Sequence, residues 1–205
     1  MKILSYQTGL LGVNTYYVKD EKSKKGFIVD PGGYDSSIAK RIKDDGVTLD
    51  YIILTHGHSD HIGGVKAFQR EFPEAKLIAS IEEKEMLSDP RMNFSNYFGE
   101  NVALIPDIYI YDGDILSLGE MELKFFHTPG HSPGGLCILV ENCLFSGDTL
   151  FQQSIGRTDF VGSSFEDLIK SIHEKLFTLP DDTKVFPGHM GETAIGFEKR
   201  HNPFV

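Results

Sequence analysis

The sequence predicts an α+β or mixed α/β chain, with two rounds of strands that are each followed by helices. Three observations carry this. Short β-rich apolar runs recur over 3–29 and again over 108–146, bounded by Gly, Asn, Asp and Pro. Helical spacing lies between and after them, clearest in Phe165, Leu168, Ile169, Ile172 and Leu176 at i, i+3, i+4, i+7 and i+11. Finally, the apolar run Tyr51-Ile52-Ile53-Leu54 ends in Thr55-His56-Gly57-His58-Ser59-Asp60-His61, and a helical pattern opens at Ile62. Such a pattern asks for sheets with helices packed on their faces.

The N-terminal runs over 3–6, 14–18 and 26–29 read as antiparallel strands, divided by Gly9-Leu10-Leu11-Gly12 and by a charged turn over 19–25. The apolar Leu10-Leu11 tip either roofs a site or folds back onto the sheet. Asp30-Pro31-Gly32-Gly33 breaks the third run with turn chemistry. A helix is expected over 35–45, with Asp35 as N-cap, Ile38 and Ile42 on one face, and Gly46 as the stop. The strand over 49–54 feeds the His-rich loop, and a helix over 62–72 leaves it with Val65, Phe68 and Phe72 on one side. A strand over 76–79 and a short helix over 82–87 follow.

The segment 88–106 has no period and carries Met92, Phe94, Tyr97 and Phe98. A stretch that long walls a cleft, forms a dimer contact, or folds its aromatics back as a satellite core. Strands are expected over 108–111, 114–118, 121–126, 135–140 and 143–146. A helix over 164–176 is capped by Ser164 with Asp167 or by Ser163 with Glu166. The last strand is 184–186, and the last helix, 193–201, stops at Asn202-Pro203.

The bulk numbers bound the function. The chain has 205 residues, 40% hydrophobic and 24% charged, with a net charge of −10. That size suits a single domain over 1–205. Excess negative charge argues against nucleic acid or anionic membrane as partner. No apolar run reaches the length of a membrane span, and the N-terminus lacks the apolar core of a signal peptide. The expected location is the cytoplasm. If Glu141-Asn142 is a two-residue hairpin turn, Cys137 and Cys143 point to opposite faces of a sheet and form no disulfide.

The chemistry concentrates in residues that follow strands. His56 and His58 are two apart, so on extended backbone they face one side and reach one ion. At this chain's own His and Asp frequencies, His-x-His-x-Asp-His arises by chance in roughly one such chain in a thousand. The alternative is a polar loop with solvated histidines. Three later segments add ligand types after strands: His131 in His127-Thr128-Pro129-Gly130-His131, Asp148 in Ser146-Gly147-Asp148-Thr149, and His189 in Pro187-Gly188-His189. Seven ligand-type residues (His56, His58, Asp60, His61, His131, Asp148, His189) exceed the three or four that one site needs, and they suit two ions sharing a bridging carboxylate. Imidazole and carboxylate donors suit zinc, iron or manganese and do not select among them; zinc is the metal expected, with iron or manganese as alternatives. No Gly-x-Ser-x-Gly nucleophile motif is present.

On these motifs the chain resembles the metallo-β-lactamase-fold hydrolases, and among them the short thioester hydrolases of the glyoxalase II type. The resemblance runs from Asp30 to the C-terminus. It implies an αββα sandwich, two mixed sheets face to face with helices outside. It implies two divalent metal ions, one held by His56, His58 and His131, the other by Asp60, His61 and His189, with Asp148 between them. Asp148 and Asp60 are the implied catalytic residues, and Asp148 helps to orient the attacking hydroxide. Asp30 would accept the second N–H of a ligand imidazole, and Arg157 and Asp159 of Gly156-Arg157-Thr158-Asp159 would brace the loop after Asp148, unless they are only an exposed ion pair. The implied substrate is a small-molecule thioester such as S-2-hydroxyacylglutathione. Longer glyoxalase II enzymes carry a C-terminal helical domain that holds glutathione. With 16 residues after His189, that domain is expected to be absent here. Persulfide dioxygenases with one iron, held by His58 or His56 with His131 and Asp148, are the alternative, and lactonases come third. Asp148 stands where common dizinc β-lactamases have Cys, which counts against that activity.

Overall fold

The computed structural model describes residues 1–205. The first half of the chain builds a six-stranded sheet. β1 (Lys2–Thr8), β2 (Val13–Lys19) and β3 (Lys25–Val29) form an antiparallel meander. α1 (Ser36–Asp44) then crosses to β4 (Thr48–Ile53), which runs parallel to β3. α2 (Ser59–Ile62) and α3 (Val65–Glu71) lead to β5 (Lys76–Ser80), and α4 (Lys84–Ser88) leads to β6 (Ile108–Ile110), both joined in parallel. The strand order is β1-β2-β3-β4-β5-β6.

The second half repeats the plan. β7 (Ile115–Leu118), β8 (Met121–His127), β9 (Leu136–Val140) and β10 (Cys143–Gly147) pair antiparallel in succession. A small ribbon, β11 (Leu150–Phe151) with β12 (Ser154–Ile155), precedes α5 (Phe165–Ser171). β13 (Lys184–Pro187) returns parallel to β10, and β14 (Thr193–Ala194) and α6 (Ile195–His201) close the chain. The order is β14-β13-β10-β9-β8-β7.

Three apolar cores separate four layers, so the fold is the αββα sandwich of two mixed sheets. Between the sheets lie Tyr16, Val18, Phe27, Ile53, Phe125, Ile138, Phe145 and Phe186. Outside the first sheet, Tyr17, Ile28 and Ile52 meet Ile38 and Ile42 of α1 and Phe68 of α3. Outside the second, Cys137, Leu144 and Val185 meet Leu168 of α5 and Ile195 of α6. β2 is buried along its whole length because successive side chains enter different cores. Cys137 faces the helix-side core and Cys143 the inter-sheet core, so the two thiols are separate. No helix is long and apolar enough to cross a membrane.

Several boundaries differ from expectation. The helix expected over 62–72 starts at Ser59 and breaks at Gly63-Gly64. There the backbone packs against Pro31-Gly32-Gly33: Gly64 donates its N–H to the Pro31 carbonyl at 2.7 Å, and a Cβ on Gly64 would meet the Gly33 carbonyl carbon at 2.6 Å. The helix over 164–176 begins at its Ser164 cap as expected, then turns π-helical over Ile172–Leu176, and Phe165 is 53% exposed rather than core. Thr193 belongs to β14, not to the last helix.

Candidate metal centre

Every residue of the candidate site lies just beyond a strand end, on the same rim of the sandwich. The first sheet supplies Asp30 after β3 and His56, His58, Asp60 and His61 after β4. The second supplies His131 after β8, Asp148 after β10 and His189 after β13. The structure brings all seven ligand-type residues together. Ligand atoms of His56, His58 and His131 lie within 4.8 Å of one another, and so do those of Asp60, His61 and His189. Asp148 touches both groups: Oδ1 is 3.4 Å from His61 Nε2, and Oδ2 is 3.5 Å from His131 Nε2 and 3.8 Å from His189 Nε2.

Hydrogen bonds behind the cluster set the imidazoles. The buried Asp30 carboxylate accepts from Thr55 N at 2.8 Å, from Thr55 Oγ1 at 2.6 Å and from His61 Nδ1 at 2.9 Å. Thr55 Oγ1, its own proton given to Asp30, accepts from His56 Nδ1 at 3.1 Å. His131 Nδ1 donates to the Arg157 carbonyl at 2.8 Å. In these three rings the Nδ1 proton is committed outward, which turns the Nε2 lone pair into the cluster.

His131 Nε2 meets His58 Nδ1 at 2.9 Å and His189 Nε2 meets Asp60 Oδ2 at 3.2 Å, but other inward atoms lack partners. Nε2 of His56, His58 and His61 and Oδ1 of Asp148 are buried without any hydrogen bond. Each such buried group costs about 1–3 kcal/mol when left unsatisfied. Several of them converging at one point is the pattern a cation satisfies all at once, so the cluster is compatible with a bound metal. Burial and the neighbouring imidazoles push His56 well below the usual histidine range, and burial with His131 and His61 pushes His58 to about 3. Both rings are therefore neutral at pH 7, as ligands must be. Burial disfavours charge on His61, but Asp148, Asp30 and Asp60 outweigh it and raise that ring. Asp60 and Asp148 stay below the usual carboxylate range against their own burial, with His61 the leading cause in both.

Sequence reasoning missed several supports. Glu83 is fully buried and accepts from Gly57 N at 2.8 Å and Gly134 N at 2.7 Å, tying the His56–His58 loop to the His131 loop. Asn14 donates from Nδ2 to the carbonyls of Pro187 and Met190 at 3.0 and 2.9 Å, which holds the His189 loop to the opposite sheet. Gly188 lets that loop approach closely, since a Cβ there would strike Asp148 and His61. The short helix at 82–87 was a visible signal for Glu83, but nothing local marked Asn14.

Arg157 and Asp159 do form a bidentate pair, at 2.9 and 2.7 Å, but both side chains are exposed. The contact to the cluster is made by the Arg157 carbonyl instead. His127 braces the loop by hydrogen bonding the Pro133 carbonyl at 2.8 Å and is not in the cluster. The 88–106 segment walls a cleft of about 450 Å³ above the cluster. Phe94, Tyr97 and Phe98 form one side, Leu11 from the N-terminal tip another, and Phe151, Phe160 and Met190 the remainder.

Known proteins match this arrangement along the whole chain. The family model described as "Metallo-beta-lactamase superfamily" matches residues 8–189. A probable metallo-hydrolase of Bacillus subtilis is 38% identical over 100% of this chain and 98% of its own. A hydroxyacylglutathione hydrolase of Haemophilus influenzae, GloC, is 37% identical over 90% of this chain and 89% of its own. Among solved structures, BLEG-1, described as a B3 metallo-beta-lactamase, superposes with a TM-score of 0.92 at 38% identity, covering 99% of each chain. TTHA1623 in a di-iron-bound form gives 0.86 at 28% identity, covering 98% of this chain and 100% of that one. ETHE1 from Myxococcus xanthus gives 0.81 at 26%, covering 99% and 84%.

Proposed function

Because the chain belongs to the metallo-β-lactamase superfamily, we propose that it is a dinuclear-metal hydrolase of thioesters, acting on substrates of the S-2-hydroxyacylglutathione kind. The observation that carries this is the pair of ligand groups joined through Asp148 at the floor of an open cleft. The likeness to GloC over nine-tenths of the chain supports the thioester.

In this reading His56, His58 and His131 hold one cation, Asp60, His61 and His189 hold the other, and Asp148 lies between. Two such cations, when bound, would supply hydroxide at neutral pH and a Lewis acid for the substrate carbonyl. The donor set suits zinc, iron or manganese without selecting among them; zinc is the metal proposed, and the di-iron form of TTHA1623 keeps iron in view. The chain's own residues do the rest. Asp30, Thr55 and the Arg157 carbonyl hold the imidazoles in register, so no reorganisation is needed when charge develops. Asp148 and Asp60 present carboxylate oxygens that accept and orient the proton of the attacking water. The apolar walls limit bulk water around the carbonyl. The leaving thiolate comes from a thiol of pKa about 8.5 and departs without a strong acid.

The test is kcat/KM for S-lactoylglutathione with protein of measured metal content. A value of ~10⁴ M⁻¹s⁻¹ or more supports the proposal, and one orders of magnitude lower rejects that substrate. The likeness to BLEG-1 favours a second reading, β-lactam hydrolysis, against the expectation drawn from Asp148. Turnover of a chromogenic cephalosporin at a comparable kcat/KM would establish it.

A further inference from the structure

We infer that the cleft selects thioesters whose acyl group is apolar, of medium-chain or aryl size, and that Phe94 and Met190 set this selection; the inference rests on the thioester reading above. Two independent observations carry it.

The first is what lines the cleft. Leu11, Phe94, Tyr97, Phe151, Phe160 and Met190 surround the space above the cluster. Phe94 lies 5.4 Å from the ring of His58 and 5.4 Å from Phe160, and Phe160 lies 5.7 Å from His131, so an aromatic wall stands directly against the ligand-type rings. Apart from the ligand-type residues, the one charged side chain of the lining is a guanidinium. That one, Arg157, is already paired with Asp159 on both carboxylate oxygens and lies over the Phe160 ring at 4.6 Å. Away from the ligand-type residues, a carboxylate- or phosphate-rich group finds no free side-chain cation in this lining, whereas an alkyl or aryl group finds apolar surface on several sides.

The second observation is backbone strain. Phe94 at φ +65° and Met190 at φ +67° adopt a conformation that L side chains rarely take. Both are held in it. Asn93 anchors the turn at Phe94 by donating to the carbonyls of Met86 and Val102 at 3.2 and 2.8 Å and accepting from Ser95 N at 3.0 Å. Asn14 holds the Met190 carbonyl. Glycine would sit in either place without strain. A bulky apolar side chain at each, both lining the same cleft, points to function.

The experiment uses full-length, zinc-loaded protein and glutathione thioesters of acetate, lactate, hexanoate and phenylacetate. Hexanoyl and phenylacetyl substrates should exceed acetyl and lactoyl in kcat/KM by at least tenfold. A flat or inverted series with good turnover overturns the selection and leaves the thioester reading standing. No turnover on any member overturns the thioester reading and the acyl assignment with it. Phe94→Gly and Met190→Gly should keep the melting temperature while cutting the hexanoyl-to-acetyl preference at least fivefold, chiefly through KM for hexanoyl. Wild-type preference in both variants would overturn the assignment to these two residues.

Discussion

Asp30 shows how much one side chain carries. It sits at φ +47° with its carboxylate buried, and all three hydrogen bonds to that carboxylate come from the segment that presents the imidazoles. A carboxylate can accept all of these, whereas an amide offers one oxygen and an unwanted donor. Asp30→Asn should therefore lower metal affinity about 10–100-fold without removing a ligand-type residue. Titrating zinc into the metal-free variant measures this. Removing cluster residues should cost more: His58→Ala or Asp148→Asn is expected to cut turnover by at least ~10²-fold and to reduce bound metal. Metal analysis beside kcat/KM checks it, and near-wild-type values of both would refute the assigned site.

At the scale of elements, the loops depend on what ties them together. Glu83 joins the loop after β4 to the loop before β9 through two backbone N–H groups, and burial raises its pKa. Glu83→Gln leaves one N–H facing another donor, which costs about 1–3 kcal/mol in stability. Denaturant unfolding of the two proteins gives the difference. At the opposite end of the first sheet, Asp45 caps α1 and pairs with Lys19 of β2 at 2.8 Å and Arg41 at 3.0 Å. Burial works against its charge, but the hydrogen bonds from Lys19 and Arg41 win and hold it at about 2. An unfolded Asp titrates near about 3.9. Because the folded value is the lower, Asp45 stabilises fully above the unfolded pKa and loses that contribution as pH falls toward 2. Asp45→Asn should be less stable than wild type at pH 6, with the gap closing between about pH 4 and pH 2. Stability measured across that range checks it, and a constant gap would count against the pairing.

Across the whole molecule, the cluster takes four ligand-type residues from one sheet and three from the other. A cation bound there would link the two halves and favour the folded chain, in which alone the ligand-type residues are gathered. At about 100 times its Kd it would add about 2.7 kcal/mol. For a chain of this size that is about 5–10 °C in Tm, at about 2–4 °C per kcal/mol. Chelation should lower the calorimetric Tm by this amount, and readded zinc should restore it. Equal values would mean that no bound cation joins the sheets.

The elements and the ligand-type residues were legible because their information is local. Period-2 and helical patterns mark the faces, Asp35 and Ser164 cap their helices within three residues, and His56, His58, Asp60 and His61 lie in one short loop. The sequence by itself therefore determined which ligand-type residues the cluster gathers and the strand ends that carry them. Tertiary structure decided the rest. Asn14 reaches a loop 173 residues away, Glu83 bridges two loops 77 residues apart, and Phe94 meets Phe160 only once the sandwich has closed. Contacts at such separations leave no periodicity, because they are set by the packing of two sheets rather than by the residues beside them in the chain.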